Sequence, residues 1–458
     1  MGYRHIIFLF LLFCTLNLSA QKRVWTLSEC IKYAIENNID IKQYNLNVNA
    51  NKIALQQSKL NYLPDLGMQS GYQLSMGRSL DPTTYSFIEN TSVNSFNLSA
   101  NIVTVIFAGF KKYNAYKKSL SDLEVSKQDV DVLKNNLTLS ITRLYYAILL
   151  NKEVIASIKN QIRSSDTNIE KTSRLVEEGA IAEENLQNLQ MQQQNEYFSL
   201  SDSHGVLKSA IIDLCSLLYI DQYDDFDVSD IINDNPESIM LNSLSDIIAS
   251  AETLPQINSA RQKIKSAEYA VKIAKGELYP TISFNSSYLS SYSDARKKIS
   301  LDQNGNPIIN NGIPIYKEYP FVNQLHDNRT SVIGLSISIP IFSSLYRRNN
   351  IKLSKINLQQ QHYILQNTKN ALKKEITKTY SDVNTAKEKY EYSLETVRHA
   401  KEVVAHTESK LDNGIITIAD YVIAKNNILM AEAQACKAKY EYLLKLKLLK
   451  FYYTQEIH

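Results

Sequence analysis

The chain has 458 residues and a formal net charge of +3, with 50 Lys+Arg interspersed among 47 Asp+Glu, which excludes the clustered basic face of a nucleic-acid binder. Twelve Gly and nine Pro are few for an all-β protein of this length, so long segments rich in Asn, Gln, Ser, Lys and Leu favour helices. Seven scattered His without metal-ligand spacing, six unclustered Met, and the lack of a phosphate loop or nucleophile elbow point to no enzyme, no metal and no cofactor.

The first element is an export signal. Arg4 and His5 precede an apolar run from Ile6 to Cys14, and small residues at Ser19-Ala20 predict cleavage before Gln21. The run is too short to cross a bilayer, which needs about 20 residues. Bulky Leu12-Phe13 before Cys14 argue against lipid attachment. Thr26 with Glu29 forms a capping box that opens a helix running to Tyr62, and Pro64 ends it. Strict period-two alternation follows. Leu66, Met68, Tyr72, Leu74 and Met76 face one way, and Gly67, Gln69, Gly71, Gln73 and Ser75 the other. After a polar segment from Gly77 to Thr91, Phe96, Leu98, Ala100, Ile102 and Ile106 alternate with Ser95, Asn97, Ser99 and Asn101. Each strand has an apolar face and a small, uncharged polar face. About 10 to 12 residues suit a tilted membrane strand, although a sandwich sheet shows the same pattern.

From about Ala108 to Glu178 a single long helix is predicted. Its apolar stripe is Val130, Leu133, Leu137, Ile141, Leu144, Ile148, Ile155, Ile158 and Ile162. At about 1.5 Å per residue such a helix extends roughly 105 Å. Gly179 ends it, and a return helix runs from Ile181 to about Tyr219. An excursion from Asp221 to Asn242 leads to a helix from Ser245 to Gly276 and to Pro280. Ile282, Phe284, Tyr288 and Tyr292 then alternate with Ser283, Asn285, Ser287 and Ser291. The segment from Ser293 to Thr330 is rich in Asn, Gly and Pro and reads as a long loop. The last strand sets Ile333, Leu335, Ile337, Ile339 and Ile341 against Gly334, Ser336, Ser338 and Pro340. A second long helix carries Leu372, Ile376, Tyr380, Val383, Tyr390, Leu394, Val397 and Val404. Gly414 ends it, and a last helix runs from Ile415 to about Tyr453. Cys30, Cys215 and Cys436 are far apart, odd in number and set among helix formers, so they read as small buried side chains.

The chain thus repeats itself. Phe107 to Gly179 and Phe342 to Gly414 both span 72 residues, and Ile41 to Pro64 and Ile257 to Pro280 both span 23. Only the stretch between each proline and its phenylalanine differs, being 19 residues longer in the second copy. The expected division is a signal peptide over 1–20, a first repeat over 21–220, an inter-repeat segment over 221–244 and a second repeat over 245–458. Four strands cannot close a barrel with a lumen, so a membrane reading requires several copies of the chain.

Together these features resemble the TolC-like outer-membrane efflux protein family. Trp25-Thr26-Leu27-Ser28-Glu29-Cys30-Ile31, Ala34, Asn37-Asn38 and Ile41 are similar to its first-helix signature. Pro64 and Pro280, Ile106-Phe107 with Gly109, and Pro340-Ile341-Phe342 resemble its helix-strand junctions, and Gly179 and Gly414 its hairpin turns. Ser343-Ser344 depart from the usual glycine-bearing turn. The resemblance implies a mainly α fold with a membrane β-barrel portion. In it a homotrimer closes a twelve-stranded barrel that a long periplasmic α-helical barrel continues. It implies a passive exit duct in the outer membrane of a Gram-negative bacterium, docked to a periplasmic adaptor and an inner-membrane pump. At the tips it implies adaptor docking through Gly179, Ala180, Gly414 and Ile415. It also implies a pore constriction at Asp420, with Asn185 and Glu184 in the first copy. Ile423 stands where a second aspartate ring would be. A coiled-coil adhesin-like surface protein, or a stand-alone porin, is the competing reading. The cargo is not legible.

Overall fold

A computed structural model describes residues 24–80, 85–229, 243–413 and 415–455. The export signal, Gly414 and most of the inter-repeat segment lie outside the described residues. In chain order the elements are β1 (Val24–Trp25), α1 (Leu27–Asn37), α2 (Ile39–Leu60), β2 (Asp65–Leu80), β3 (Phe87–Ala108), α3 (Lys111–Glu177), α4 (Glu183–Leu218) and β4 (Asp227–Val228). They continue with α5 (Leu244–Ala251), α6 (Pro255–Gly276), β5 (Thr281–Ser293), β6 (Lys297–Ile299), β7 (Ile309–Asn310), β8 (Ile313–Pro314), β9 (Tyr316–Glu318), α7 (Phe321–Asp327), β10 (Thr330–Ser338), α8 (Tyr346–Asp412) and α9 (Ile418–Thr454). Among the described residues no helix is long and apolar enough to cross a membrane. Contacts divide the chain into two compact units, one of 1–48, 125–261 and 364–458, the other of 49–124 and 262–363.

The first unit is helical and carries the duplication in its core. One cluster holds Ile41, Leu137, Ile141, Ile148 and Leu214. The other holds Ile257, Leu372, Ile376, Val383 and Leu449. These are the same five positions displaced by 216 residues before the sheet and 235 after it. Ile141 and Ile376 are both completely buried. The predicted stripe of α3 is therefore the core-facing stripe. Along α8 the stripe fades, and Leu394 is half exposed. The expected single helices before each proline are broken. In the first copy the buried Asn38 separates α1 from α2, its Oδ1 accepting from the Ile41 amide at 3.0 Å. In the second, Glu252 to Leu254 separate α5 from α6, where Pro255 supplies a first-turn residue that needs no donor. Asn38 and Leu254 are equivalent positions, so the two copies break the helix at one place by different chemistry.

The N-terminal β1 pairs in parallel with β4. Trp25 stacks on Phe226 at 5.8 Å, and the Tyr145 hydroxyl donates to the Ser229 carbonyl at 2.8 Å. Cys30 and Cys215 are buried free thiols in this core, and burial pushes them up to about 12 and about 11. Cys436, also free and half-buried, is pushed up to about 11 by the same cause. Raised values of this kind make inert structural thiols, as the sequence predicts.

The second unit is a four-stranded antiparallel meander in chain order, β2-β3-β5-β10, with β2 and β10 as open edges. Register places Tyr72, Phe96 and Tyr292 in one cross-strand row, and Leu66, Ile102, Ser286 and Ile333 in another. One face is therefore apolar across all four strands. The other carries Gln69, Gln73, Asn97, Ser99, Asn101, Ser283, Asn285, Ser287 and Ser336. A bulge between Val105 and Phe107 shifts the phase, so that Phe107 pairs with Ile282. The strands are longer than predicted on the first hairpin. The last is shorter, ending at Ser338 because Pro340 cannot donate to a ladder. Tyr62, Tyr279, Phe110, Phe342 and Tyr346 are all exposed where the strands meet the helices, as an aromatic girdle requires.

Each strand-to-helix junction turns through two successive left-handed residues. They are Gly109 and Phe110 (φ 60° and 59°) in the first copy and Ser344 and Leu345 (φ 48° and 62°) in the second. At Gly109 glycine is required twice over, since a Cβ would lie 2.3 Å from the Gly276 carbonyl oxygen. The departure at Ser343-Ser344 thus keeps the turn and accepts the strain. A left-handed non-glycine residue costs roughly 1–2 kcal/mol, against about 0.4–1 kcal/mol of extra chain freedom for glycine. Ser344→Gly is expected to stabilise the protein by about 0.5 kcal/mol, read as a higher melting temperature in detergent. An unchanged or lower melting temperature would show that Ser344 is unstrained.

Candidate functional site: the hairpin tips

Both long hairpins reverse by the same hydrogen-bond pattern. At the first, Gly179 is left-handed (φ 73°), its amide bonds Val176 O at 2.9 Å, and the Ala180 amide bonds Leu175 O at 2.8 Å. At the second, the Ile415 amide bonds Lys410 O at 2.9 Å, the same six-residue closure. Gly179, Ala180 and Ile415 are exposed. The adaptor-docking candidates Gly179, Ala180 and Ile415 therefore all sit at surface turns, and Gly414 falls outside the described residues.

The return helices start differently. Ala182 caps α4 with no side-chain bond, whereas Thr417 caps α9 with a complete capping box. The Asp420 amide donates to Thr417 Oγ1 at 3.2 Å. In return Asp420 Oδ2 accepts from the Thr417 amide at 3.1 Å and from its hydroxyl at 2.7 Å. The Thr417 hydroxyl and amide hold the Asp420 carboxyl below the usual carboxylate range. The motif Thr417-Ile418-Ala419-Asp420 carries this signal in the sequence, where the length of the loop after Gly414 obscures it. Only Oδ2 is engaged, so Oδ1 of this exposed side chain is open. Asn185 occupies the equivalent position but points elsewhere. It lines a cleft of about 700 Å3 between the tips, together with Leu175, Ala180, Ile181, Glu408, Thr417 and Tyr421. Glu184 is exposed in the first turn of α4 and does not line the cleft. Asp420 and Glu184 are exposed in the first turns of their helices, and Asn185 lines the cleft.

Behind the cleft lies a polar layer that sequence reasoning missed. Tyr421 is almost fully buried with Leu189 and Ile418, and its hydroxyl meets Asn168 Nδ2. Lys425, also buried, donates to Ser164 Oγ. Burial pushes the Lys425 ammonium down, partly opposed by Glu408, Glu196 and Glu432. Glu196 is 1% exposed. Its Oε1 accepts from Ser165 at 3.0 Å, and Oε2 has no hydrogen-bond partner. Gln192 Nε2 donates to Asn426 Oδ1 at 2.6 Å, and Ser157 to Glu432 at 2.8 Å. Except for Ser165 to Glu196, which lies within the first hairpin, these bonds join the first hairpin to the second at polar positions. Each residue looks like a solvated helix position until its partner helix is known.

No curated protein matches the chain in sequence. Residues 249–452 match the family described as outer membrane efflux protein. Three solved structures superpose on nearly the whole chain. The outer membrane protein VceC of Vibrio cholerae does so with a TM-score of 0.76 at 13% identity, covering 93% of this chain and 96% of that one. The Campylobacter jejuni CmeC outer membrane channel gives 0.76 at 17% identity, covering 92% and 84%. The Neisseria gonorrhoeae MtrE outer membrane channel, in its open state, gives 0.72 at 15% identity, covering 93% and 88%. The second half of the chain thus matches the outer membrane efflux protein family, and the chain as a whole has the fold of the outer membrane channels VceC, CmeC and MtrE.

Proposed function

We propose that this chain is an efflux channel of the Gram-negative outer membrane that extends into the periplasm, and that it is the passive exit duct of a three-component exporter. Three copies would form it, and its hairpin tips would dock to a periplasmic adaptor coupled to an inner-membrane pump. Its cargo would be small molecules or proteins. The observation that carries this reading is the meander with an apolar face and two open edges. In a bilayer every backbone donor and acceptor must be paired, so β2 and β10 each need a neighbour. An even number of antiparallel strands lets β10 of one copy pair with β2 of the next without breaking the alternation. Four strands per chain in three copies make a barrel with room for a lumen.

At the hairpin tips, we infer that Asp420 rings the narrow mouth with its open Oδ1, while Glu184 supplies the acidic residue of the first tip. Asn185, facing the cleft, serves the adaptor contact beside Ala180 and Ile415. The test is site-specific photo-crosslinking in cells. A crosslinker at Ala180 or Ile415 is expected to capture a periplasmic adaptor, and one at Asn311 is not. Capture from neither tip would remove the docking role and leave a channel acting alone. The orientation has its own test. An epitope inserted at Asn311 is expected to bind antibody on intact cells, and accessibility only after the outer membrane is breached would reverse the assignment.

A further inference from the structure

The segment between β5 and β10 reads as a loop but is folded, and one part of it packs on the apolar face of the sheet. Helix α7 leans onto the apolar face of the sheet. The Phe321 ring packs on Tyr292 at 4.9 Å and on Phe96 at 5.4 Å. Ser290, on the same face, donates to the Leu325 carbonyl at 2.6 Å. The helix is also fastened to the end of β5. Gln324, completely buried, donates to Ser293 O at 2.9 Å and accepts from the Ser293 amide at 3.1 Å, and Asn328 donates to Ser291 O at 2.7 Å. Because β10 begins opposite Leu289, these bonds occupy backbone that would otherwise be an open edge.

Height is fixed by the strand. The ten residue steps from Ile282 to Tyr292, at about 3.3 Å each and tilted about 40°, rise roughly 25 Å, the thickness of an apolar band. Phe321 therefore lies at the outer boundary of the membrane, on the side that lipid touches. The start of α7 exposes two apolar side chains, Phe321 and Val322 (73% exposed), and the rest of its exposed surface is Asn323, His326 and Asp327. Flanking it are Lys297, Lys298, Lys317 and Arg329. Of the acidic neighbours, Asp327 is 3.9 Å from Lys298 and Asp294 is engaged by Asn94; Glu318 completes the group. An exposed apolar pair bordered by cations at this height fits an anionic lipid surface.

We propose that α7 is an interfacial anchor seated in the outer leaflet. Phe321 and Val322 enter the acyl boundary, and Lys297, Lys298, Lys317 and Arg329 meet anionic headgroups. The proposal rests on the outer-membrane reading, and the experiment separates the two. The channel is reconstituted into phosphatidylcholine vesicles containing a minor fraction of brominated phosphatidylglycerol or, in a parallel set, of brominated phosphatidylcholine. Trp25, the single tryptophan and buried, gives a constant background. Val322→Trp and Leu335→Trp, both at exposed positions, are the probes. Both are expected to lose emission to brominated lipid. Val322→Trp is expected to lose more to the anionic lipid, and this excess should vanish when Lys297, Lys298 and Lys317 are all changed to Glu. Quenching of Leu335→Trp without quenching of Val322→Trp would overturn the anchor alone. No quenching of either would overturn the membrane barrel with it. Equal loss to both lipids would overturn the anionic headgroup assignment.

Discussion

Leu335→Lys is expected to remove most of the assembled, detergent-extractable oligomer from the outer membrane, and Ser336→Lys is expected to leave it in place. The two residues are neighbours on β10. Leu335 is 69% exposed on the apolar face, paired with Phe284, whereas Ser336 pairs with Ser283 on the polar face. A charge on the lipid side of a membrane strand costs about 2–4 kcal/mol at the midplane and less toward the interfaces. If three copies assemble, the penalty is paid three times, roughly 6–12 kcal/mol per particle. A lysine on the lumen side keeps its hydration. Ile337→Lys is expected to behave like Leu335→Lys. Heat-modifiable mobility of the outer-membrane fraction reads the result, and equal loss from both faces would mean that the sheet does not lie in lipid.

The second large effect concerns the mouth. Asp420→Ala is expected to weaken cation selectivity and block by multivalent cations in planar bilayers, with particle yield unchanged. Its carboxylate has two tasks. Oδ2 caps α9 through Thr417, and Oδ1 is open. The cap lowers the carboxyl's titration, so its contribution is complete above the ordinary carboxylate range and is lost as acid carries the pH through the lowered value. A ring of such groups acts oppositely, because like charges held together resist full ionisation. Asp420→Asn separates the tasks, since an amide oxygen can still accept from Thr417 but carries no charge. It should lose selectivity as Asp420→Ala does while keeping the tip helical. Ile423→Asp, at an exposed site one turn further on, is expected to deepen the block by adding a second ring. Identical selectivity in the parent protein and Asp420→Asn would make Asp420 a cap and nothing more.

Much of this architecture is legible in the amino acids because it rests on local periodicities. The strands follow from period two, the long helices from a stripe such as Leu137, Ile141 and Ile148, and the tips from lone glycines in long glycine-free runs. What escaped depends on partners. The break at Asn38 needs its side chain to be buried and turned onto the Ile41 amide, and its counterpart at Leu254 is signalled only by the following proline. Glu196, Lys425 and Tyr421 look like surface residues of an amphipathic helix, because a helix in a bundle presents a second, polar face to another helix. Asn185 matches Asp420 by spacing, yet without a threonine at its N-cap it turns into the cleft. The helix at Phe321 was hidden in a turn-rich segment, and its position depends on Phe96, more than two hundred residues earlier.

The displacement of the two cores carries a consequence for how such a chain can diversify. Core positions repeat at 216 before the sheet and at 235 after it, so every net insertion since the duplication lies between a proline and the following junction. In the proposed orientation that part faces the outside of the cell. Under that orientation, a change of length in the segment around Asn304 to Gly312 leaves both buried frames in register.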